Sequence, residues 1–237
     1  MLAEHNNSSL DDGTLPAVTA AAKLGGEVTV LVAGKGCKEA AAKAAKVAGV
    51  SKVLIADHDS FEKGLSENVA DLLVKVQAQN KYTHILAPAT TYGKNILPRT
   101  AALLDVAAIS DVLSVEGPDT FKRPIYAGNA IATVKSADTV KVVTVRTTAF
   151  EKASVGEPKA EVKEVSFDGT AKGVSTWVKE ELQKSDRPEL TSAKVVVSGG
   201  RAVKSRENFG SLIEKLADSL NAAGMYTFYH PSTSASL

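Results

Sequence analysis

Residues 27–56, EVTVLVAGKGCKEAAAKAAKVAGVSKVLIA, decide the fold. Glu27–Ala33 is apolar at nearly every position, the pattern of a strand covered on both faces. Lys38–Ala48 is an alanine-rich helix, and Gly49 is a natural stop for it. Lys52–Ala56 (KVLIA) is a second buried strand. Strand, helix and strand at this spacing predict two parallel strands joined by a crossover helix.

The same alternation continues on either side. Ala17–Leu24 is helical, and Leu65–Gln79 sets Val69, Leu72, Leu73 and Val76 at i, i+3, i+4 and i+7 on one face of a helix. Thr83–Ala87 (THILA) is another buried strand, and Asn95–Leu104 a helix carrying Pro98 in its early part. After Ala108 short strands follow without helices between them: Asp111–Glu116, Phe121–Ala127, Ala130–Lys135 and Lys141–Arg146. These predict an antiparallel edge or meander appended to the parallel sheet. The fold class is α/β, a mostly parallel sheet with helices on both faces plus an antiparallel extension, and it fills a first domain over residues 1–150.

Residues 151–190 read as a linker and extended arm. Within them Ala153–Lys172 is rich in Ser, Gly, Pro and charge, with one strand-like piece at Val162–Phe167, and Trp177–Leu182 reads as an extended arm or a short helix, the arm being favoured. A second βα unit occupies 191–222, with Val195–Val197 as its strand and Ser198-Gly199-Gly200-Arg201 as a Gly-rich turn. Ser205 is the N-cap of a helix to Asn221, with Phe209, Leu212, Ile213, Leu216, Ala217 and Leu220 on one face. Residues 223–237 hold three of the twelve aromatic residues, show neither periodicity, and leave that helix with no further element to cover.

The 237 residues exceed one typical domain of about 150, and 28 basic residues balance 27 acidic ones. The balance is even along the chain, 16 against 15 up to Phe150 and 12 against 12 beyond it. Such a charge distribution gives no footprint for nucleic acid or an acidic membrane. Hydrophobic content of 44% with 23% charge is that of an ordinary globular chain, and the longest apolar runs are of strand length, so no membrane insertion is expected. One cysteine, Cys37, leaves no intramolecular disulfide framework. The opening Met1-Leu2-Ala3-Glu4-His5 has neither a secretory h-region nor an Arg-rich transit sequence.

Few residues offer chemistry. Gly34-Lys35-Gly36 follows a strand and opens a helix, where backbone N–H groups can meet a phosphate. It lacks the third glycine of a dinucleotide fingerprint and the GK[ST] of a P-loop, so a plain tight turn is the favoured reading. Ser198–Arg201 is the better candidate: two glycines let the backbone approach a ligand, and Arg201 can pair bidentately with phosphate or carboxylate. His5, His58, His84 and His230 are scattered without clustered Cys or carboxylates at metal-ligand spacing, and His58, between Asp57 and Asp59, reads as a loop residue. Cys37 has no histidine beside it. No GxSxG, HExxH or paired catalytic carboxylates occur, so the chain reads as a carrier or binding protein without a catalytic acid, base or nucleophile.

Several longer stretches carry a resemblance: LAEHNN (residues 2–7), GKNILPR (93–99), ISDV (109–112), YAGNA (126–130), SDRPEL (185–190), AKVVVSGGR (193–201), and Lys204-Ser205 with Asn208-Phe209. In order and over about residues 2–222 the chain resembles the alpha subunit of electron transfer flavoprotein, in its mitochondrial branch. The resemblance implies a heterodimer with a beta subunit, one FAD, and one AMP held in the beta subunit. It further implies electrons taken from acyl-CoA and related dehydrogenases in fatty acid beta-oxidation and passed to a membrane quinone oxidoreductase, in the mitochondrial matrix. The family's FAD contact in the GGR turn falls on Arg201, and its other flavin motifs match nothing in this sequence. AMP in the partner argues against a nucleotide at Gly34–Gly36. The family pattern ends at Asn221-Ala222-Ala223, so the chain reads as a C-terminally truncated product with an unrelated tail, impaired in holding FAD. Two other readings stand beside this one: a nucleotide-binding α/β enzyme built on the Gly34 loop, and an inactive remnant that binds the beta subunit.

Overall fold

The computed structural model describes residues 1–157, 159–167, 173–181, 187, 188, 190 and 193–226, without the side chain of residue 226. The chain divides into two compact units, Met1–Val178 and Lys179–Leu237.

In the first unit β1 (Val28–Gly34) and β2 (Val50–Asp57) pair in parallel, Val30 opposite Val53 and Val32 opposite Ile55, with α2 (Lys38–Ala44) between them in sequence. The expected crossover is present, but α2 stops four residues short of Ala48. Gly49, at φ +90°, turns the chain into β2 instead of capping the helix. β3 (His84–Pro88), β4 (Ala108–Val112) and β8 (Lys141–Val145) form a second parallel set in the order β3-β8-β4. Residues 1–3 join the two sets. Leu31 N–H donates to Met1 O (2.8 Å), Ala3 N–H to Leu31 O (2.9 Å), and Leu2 N–H to Leu86 O (2.7 Å). The amino-terminal residues thus hold the central position of the sheet.

Alternation along the strands separates two cores. Val30, Val32, Val53, Ile55, Val143 and Val145 face one cluster with alanines of α1 (Thr14–Ala22) and α2. Leu2, Leu31, Leu54, Ile85, Ala87 and Val142 face the other, with Val69, Leu72 and Leu73 of α3 (Ser66–Asn80) and Ile96 and Leu97 of α4 (Thr91–Leu103). Helices on both faces of a mostly parallel sheet follow directly from this partition.

Lys141–Arg146 corrects the sequence expectation. It is no antiparallel edge but a parallel strand between β3 and β4, with Val142, Val143 and Val145 fully buried. Consecutive buried valines require cover on both faces, which an antiparallel edge strand lacks. The antiparallel extension is confined to β5 (Ser114–Val115), β6 (Thr120–Ile125) and β7 (Ala130–Lys135). Asp111–Glu116 is likewise two strands. Asp111, at φ +60°, breaks the register, donates its N–H to Thr144 Oγ1 (2.9 Å) and pairs through its carboxylate with Arg146.

α4 starts at Thr91, four residues before the expected Asn95, so Pro98 lies in its middle. Thr90 caps it by accepting the Gly93 N–H. In the stretch read as linker, β9 (Glu161–Glu164) pairs in parallel with β2 at the sheet edge. Residues 177–181 carry no helix; Leu182 lies outside the described residues.

The second unit pairs β10 (Val196–Gly199) in parallel with β11 (Ala223–Tyr226). Between them run α5 (Arg206–Asn208), a π-helical segment (Phe209–Glu214) and α6 (Lys215–Ser219) as one helical stretch. The strand over 223–226 corrects the view that no further element faces this helix. Its four residues include a glycine and are too few to show alternation. Phe209 and Ala217 are buried against the pair, whereas Leu212, Leu216 and Leu220 stay 62%, 49% and 52% exposed.

Candidate functional site

The Gly-rich turn of the second unit follows β10. A Cβ on Gly199 would stand 2.8 Å from both Ile213 Cγ1 and Val203 Cγ2, and 3.2 Å from Phe209 Cδ2. Glycine is what lets the strand end lie this close under the helical stretch. Arg201–Val203 then forms a single 3₁₀ turn, and Lys204 at φ +65° reverses the chain. Ser205 is the N-cap, its Oγ accepting the Asn208 N–H at 3.1 Å, while Asn208 Nδ2 donates to Val203 O at 3.1 Å. Turn and helix start are therefore tied together.

Arg201, Lys204 and Arg206 are all exposed there. Three cations within six residues stand at the carboxyl end of a parallel strand, where open α/β sheets take anionic ligands. Arg187 is different. Its Nε and Nη2 donate to Asp218 at 2.5 and 3.1 Å, and Nη1 lies 3.5 Å from Glu214. The hydrogen bond from Arg187 holds the Asp218 carboxyl below the usual carboxylate range. The arginine of the SDRPEL stretch fastens its own unit together.

The rival loop at Gly34–Gly36 is closed by the protein itself. Lys35 N–H donates to Asn7 Oδ1 (3.2 Å) and Gly36 N–H to Asp57 Oδ1 (2.8 Å). A Cβ on Gly34 would lie 2.1 Å from Asn7 Oδ1 and 2.8 Å from His5 Cε1, so the space a phosphate would need holds side chains. Lys35 Nζ is paired with Asp59 (3.2 Å) and Glu62 (3.6 Å). A carboxylate also stands at the start of α4, where Glu4 Oε2 accepts from Thr90 Oγ1 at 2.5 Å; burial raises its pKa. These groups satisfy the donors that a nucleotide phosphate would otherwise engage. Sequence reasoning missed Glu4 and Asn7, whose roles depend on residues 4–7 reaching over the carboxyl end of the sheet after residues 1–3 have run through its centre.

The remaining candidates do not converge. His5 Nδ1 accepts the Asn7 N–H (3.0 Å), and burial pushes its pKa down. His58 Nδ1 bonds Ser60 and its ring meets Phe61 and Phe167 edge to face. His84 lies on an open cavity of about 310 Å³ at the amino ends of the strands, with Nε2 2.5 Å from Pro118 O. Cys37 is buried, and burial raises its pKa, which disfavours the thiolate. His230 lies outside the described residues. Among the described residues no group of three or more His, Cys, Asp or Glu is placed to hold a metal, and no helix is long and apolar enough to cross a membrane.

Comparison with known proteins adds the context for the Arg201 turn. Residues 1–169 match the electron transfer flavoprotein domain and residues 189–227 the electron transfer flavoprotein FAD-binding domain. The second match contains the whole Gly199–Arg201 turn and runs past Ala223 into β11. The chain is 55% identical to the electron transfer flavoprotein subunit alpha of Pseudomonas aeruginosa, over 94% of this chain and 71% of that protein. It is 48% identical to the mitochondrial subunit alpha of Dictyostelium discoideum and 45% to the probable mitochondrial subunit alpha of Caenorhabditis elegans, each over 94% of this chain and 66% of the relative. The chain thus spans about two thirds of the length of these relatives.

Proposed function

Because the chain belongs to the electron transfer flavoprotein alpha-subunit family, we propose that it serves as the electron-carrier subunit of a heterodimeric flavoprotein, with a beta subunit as partner and FAD as its redox group. The observation that carries this reading is Arg201, exposed on the turn after Gly199 and Gly200 at the end of a parallel strand within the matched FAD-binding stretch. Residues 193–206 contain no carboxylate, so the turn suits a pyrophosphate.

In this reading Arg201 offers parallel N–H donors to phosphate oxygens. Lys204 and Arg206 add positive field at the same end of the strand. When bound, FAD supplies the redox chemistry. The side chains of the turn hold and orient it, and their positive charge favours the flavin's negatively charged forms. None of them needs to act as acid, base or nucleophile.

The finer assignments rest on family membership. Electrons come from acyl-CoA and related dehydrogenases, as in fatty acid beta-oxidation, and leave to a membrane quinone oxidoreductase in the mitochondrial matrix; the relatives named as mitochondrial support that compartment. AMP belongs to the beta subunit, a reading supported by the closed Gly34 loop. Residues 1–150 form the interaction domain, 151–190 the connection, and 191–222 the start of the flavin domain, whose family match continues to residue 227. A polypeptide of these 237 residues binds FAD weakly, because one βα turn encloses only part of a dinucleotide. Purification alone and with a bacterial beta subunit tests the assignment. Capture of the beta subunit with FAD absorbance well below one per chain is the expected result. Loss of beta-subunit capture, or binding of ATP or AMP by the isolated chain, would overturn it.

A further inference from the structure

The middle of the stretch between β8 and β10, residues 161–177, is fastened to the rest of the first unit at four points. β9 lies in register beside β2, Lys52 opposite Glu161 through Ile55 opposite Glu164, and Val165 N–H adds a bond to Ile55 O at 2.8 Å. Phe167 then seats edge to face on Phe61 (centroids 4.7 Å apart) and on His58 (5.5 Å), with Lys75 Nζ 4.8 Å from the Phe167 centroid. Further on, Ser175 N–H donates to Glu67 Oε1 at 2.9 Å. Finally Trp177 lies under Lys63 Nζ, 4.7 Å from the ring centroid.

The receiving groups come from β2, the turn after it and α3. They are of three kinds, an aromatic pair, a carboxylate and an ammonium, set along one path. Each contact by itself is modest: an edge-to-face pair, a charge-assisted hydrogen bond and an exposed cation–π contact. Four in series make the attachment cooperative, since each holds the next at high effective concentration.

We propose that the two described stretches 161–167 and 173–178 act as a strap, clasped on the first unit at Phe61, Glu67 and Lys63, that sets how much free chain connects the two units. With the strap clasped, the first unit runs to Val178 and the second begins at Lys179. With it released from Val165 onward, 14 residues become free chain between the units, with a reach of up to about 50 Å. The inference rests on the division at Val178 and on these contacts, and not on the flavin reading.

Trp177 is the single tryptophan of the chain, so its emission reports the clasp in the intact protein. Ser175→Pro removes the N–H that Glu67 accepts while leaving every core side chain in place. Phe167→Ala removes the ring ten residues ahead of Trp177. Trp177 is 43% exposed, so full release should raise its acrylamide quenching constant about twofold, in proportion to area, and shift its emission to the red. Both variants should show this, together with a larger radius of gyration in small-angle scattering. If Lys63→Met alone moves Trp177 while Phe167→Ala and Ser175→Pro leave it unchanged, the contacts are independent and the strap is refuted. If Trp177 is released in all three without any growth in radius, the strap does not set the connection.

Discussion

Gly93→Ala tests the packing that positions α4. A Cβ at Gly93 would lie 1.9 Å from Pro88 O and 3.3 Å from Ala87 Cβ, where a carbon–oxygen contact needs about 3.3 Å. Both sides of the conflict are backbone, so no rotamer change relieves it, and the first turn of α4 must retreat from β3 by roughly 1.4 Å. Ile96, Leu97 and Ala101 of this helix are almost completely buried. A gap of that width forfeits a large part of their dispersion contacts. Overpacking costs about 1–3 kcal/mol, and a backbone clash belongs at the top of that range. Helix propensity returns up to about 1 kcal/mol on replacing Gly with Ala. The net expectation is a loss of about 2–3 kcal/mol, or a Tm lower by about 4–12 °C in a unit of this size. Gly26→Ala is the control: no atom lies within 4 Å of its Cβ and its φ is not left-handed. It should leave Tm unchanged or slightly higher. Circular dichroism melts of the three proteins measure this, and a Gly93→Ala protein as stable as wild type would refute the reasoning.

Phe61→Ala, which empties a site only 1% exposed, should cost about 3–5 kcal/mol, read as a shift in the urea midpoint; a loss below about 1 kcal/mol would mean the second cluster repacks freely. Hydrogen bonding from Ser175 holds the Glu67 carboxyl below its ordinary value of 4.5. Its folded pKa is therefore the lower one, so its stabilisation is present above the unfolded value and lost as pH falls through the folded value. The Tm gap between wild type and Glu67→Gln should accordingly be open at neutral pH and close in acid, and a gap constant with pH would contradict the assignment. Replacing Leu212, Leu216 and Leu220 together by Gln removes an exposed apolar stripe; we expect less aggregation on light scattering with the first unit's Tm unchanged, and faster aggregation would argue that the stripe is covered.

The parallel core was legible because burial on both faces leaves consecutive apolar residues, as in Val30–Ala33 and Leu54–Ala56. That signal was present in Lys141–Val145 too, but its neighbours Thr120–Lys135 alternate as an antiparallel hairpin, and proximity in sequence hid the return to the main sheet. Helix starts were misjudged where the cap precedes the first apolar residue, as Thr90 does before Ile96. The closing of the Gly34 loop was not legible at all. It depends on Asn7 at φ +70° reaching across from residues distant in sequence, and no local pattern encodes that approach. In the second unit the turn and its Ser205 cap could be read directly, since both are local. β11 could not, being four residues long with no periodicity to show.

The most direct test of the Arg201 assignment is a titration of the purified chain with FAD, followed by quenching of flavin fluorescence, beside the Arg201→Ala variant. Arg201 is exposed, so the substitution should leave the melting temperature unchanged. An arginine–phosphate contact contributes about 1.5–3 kcal/mol, which corresponds to roughly a 10- to 100-fold change in Kd. The account predicts weak, saturable binding to the wild-type chain and a Kd raised at least tenfold in the variant, in line with that contact. Equal affinities for the two proteins, or no binding by either, would contradict it.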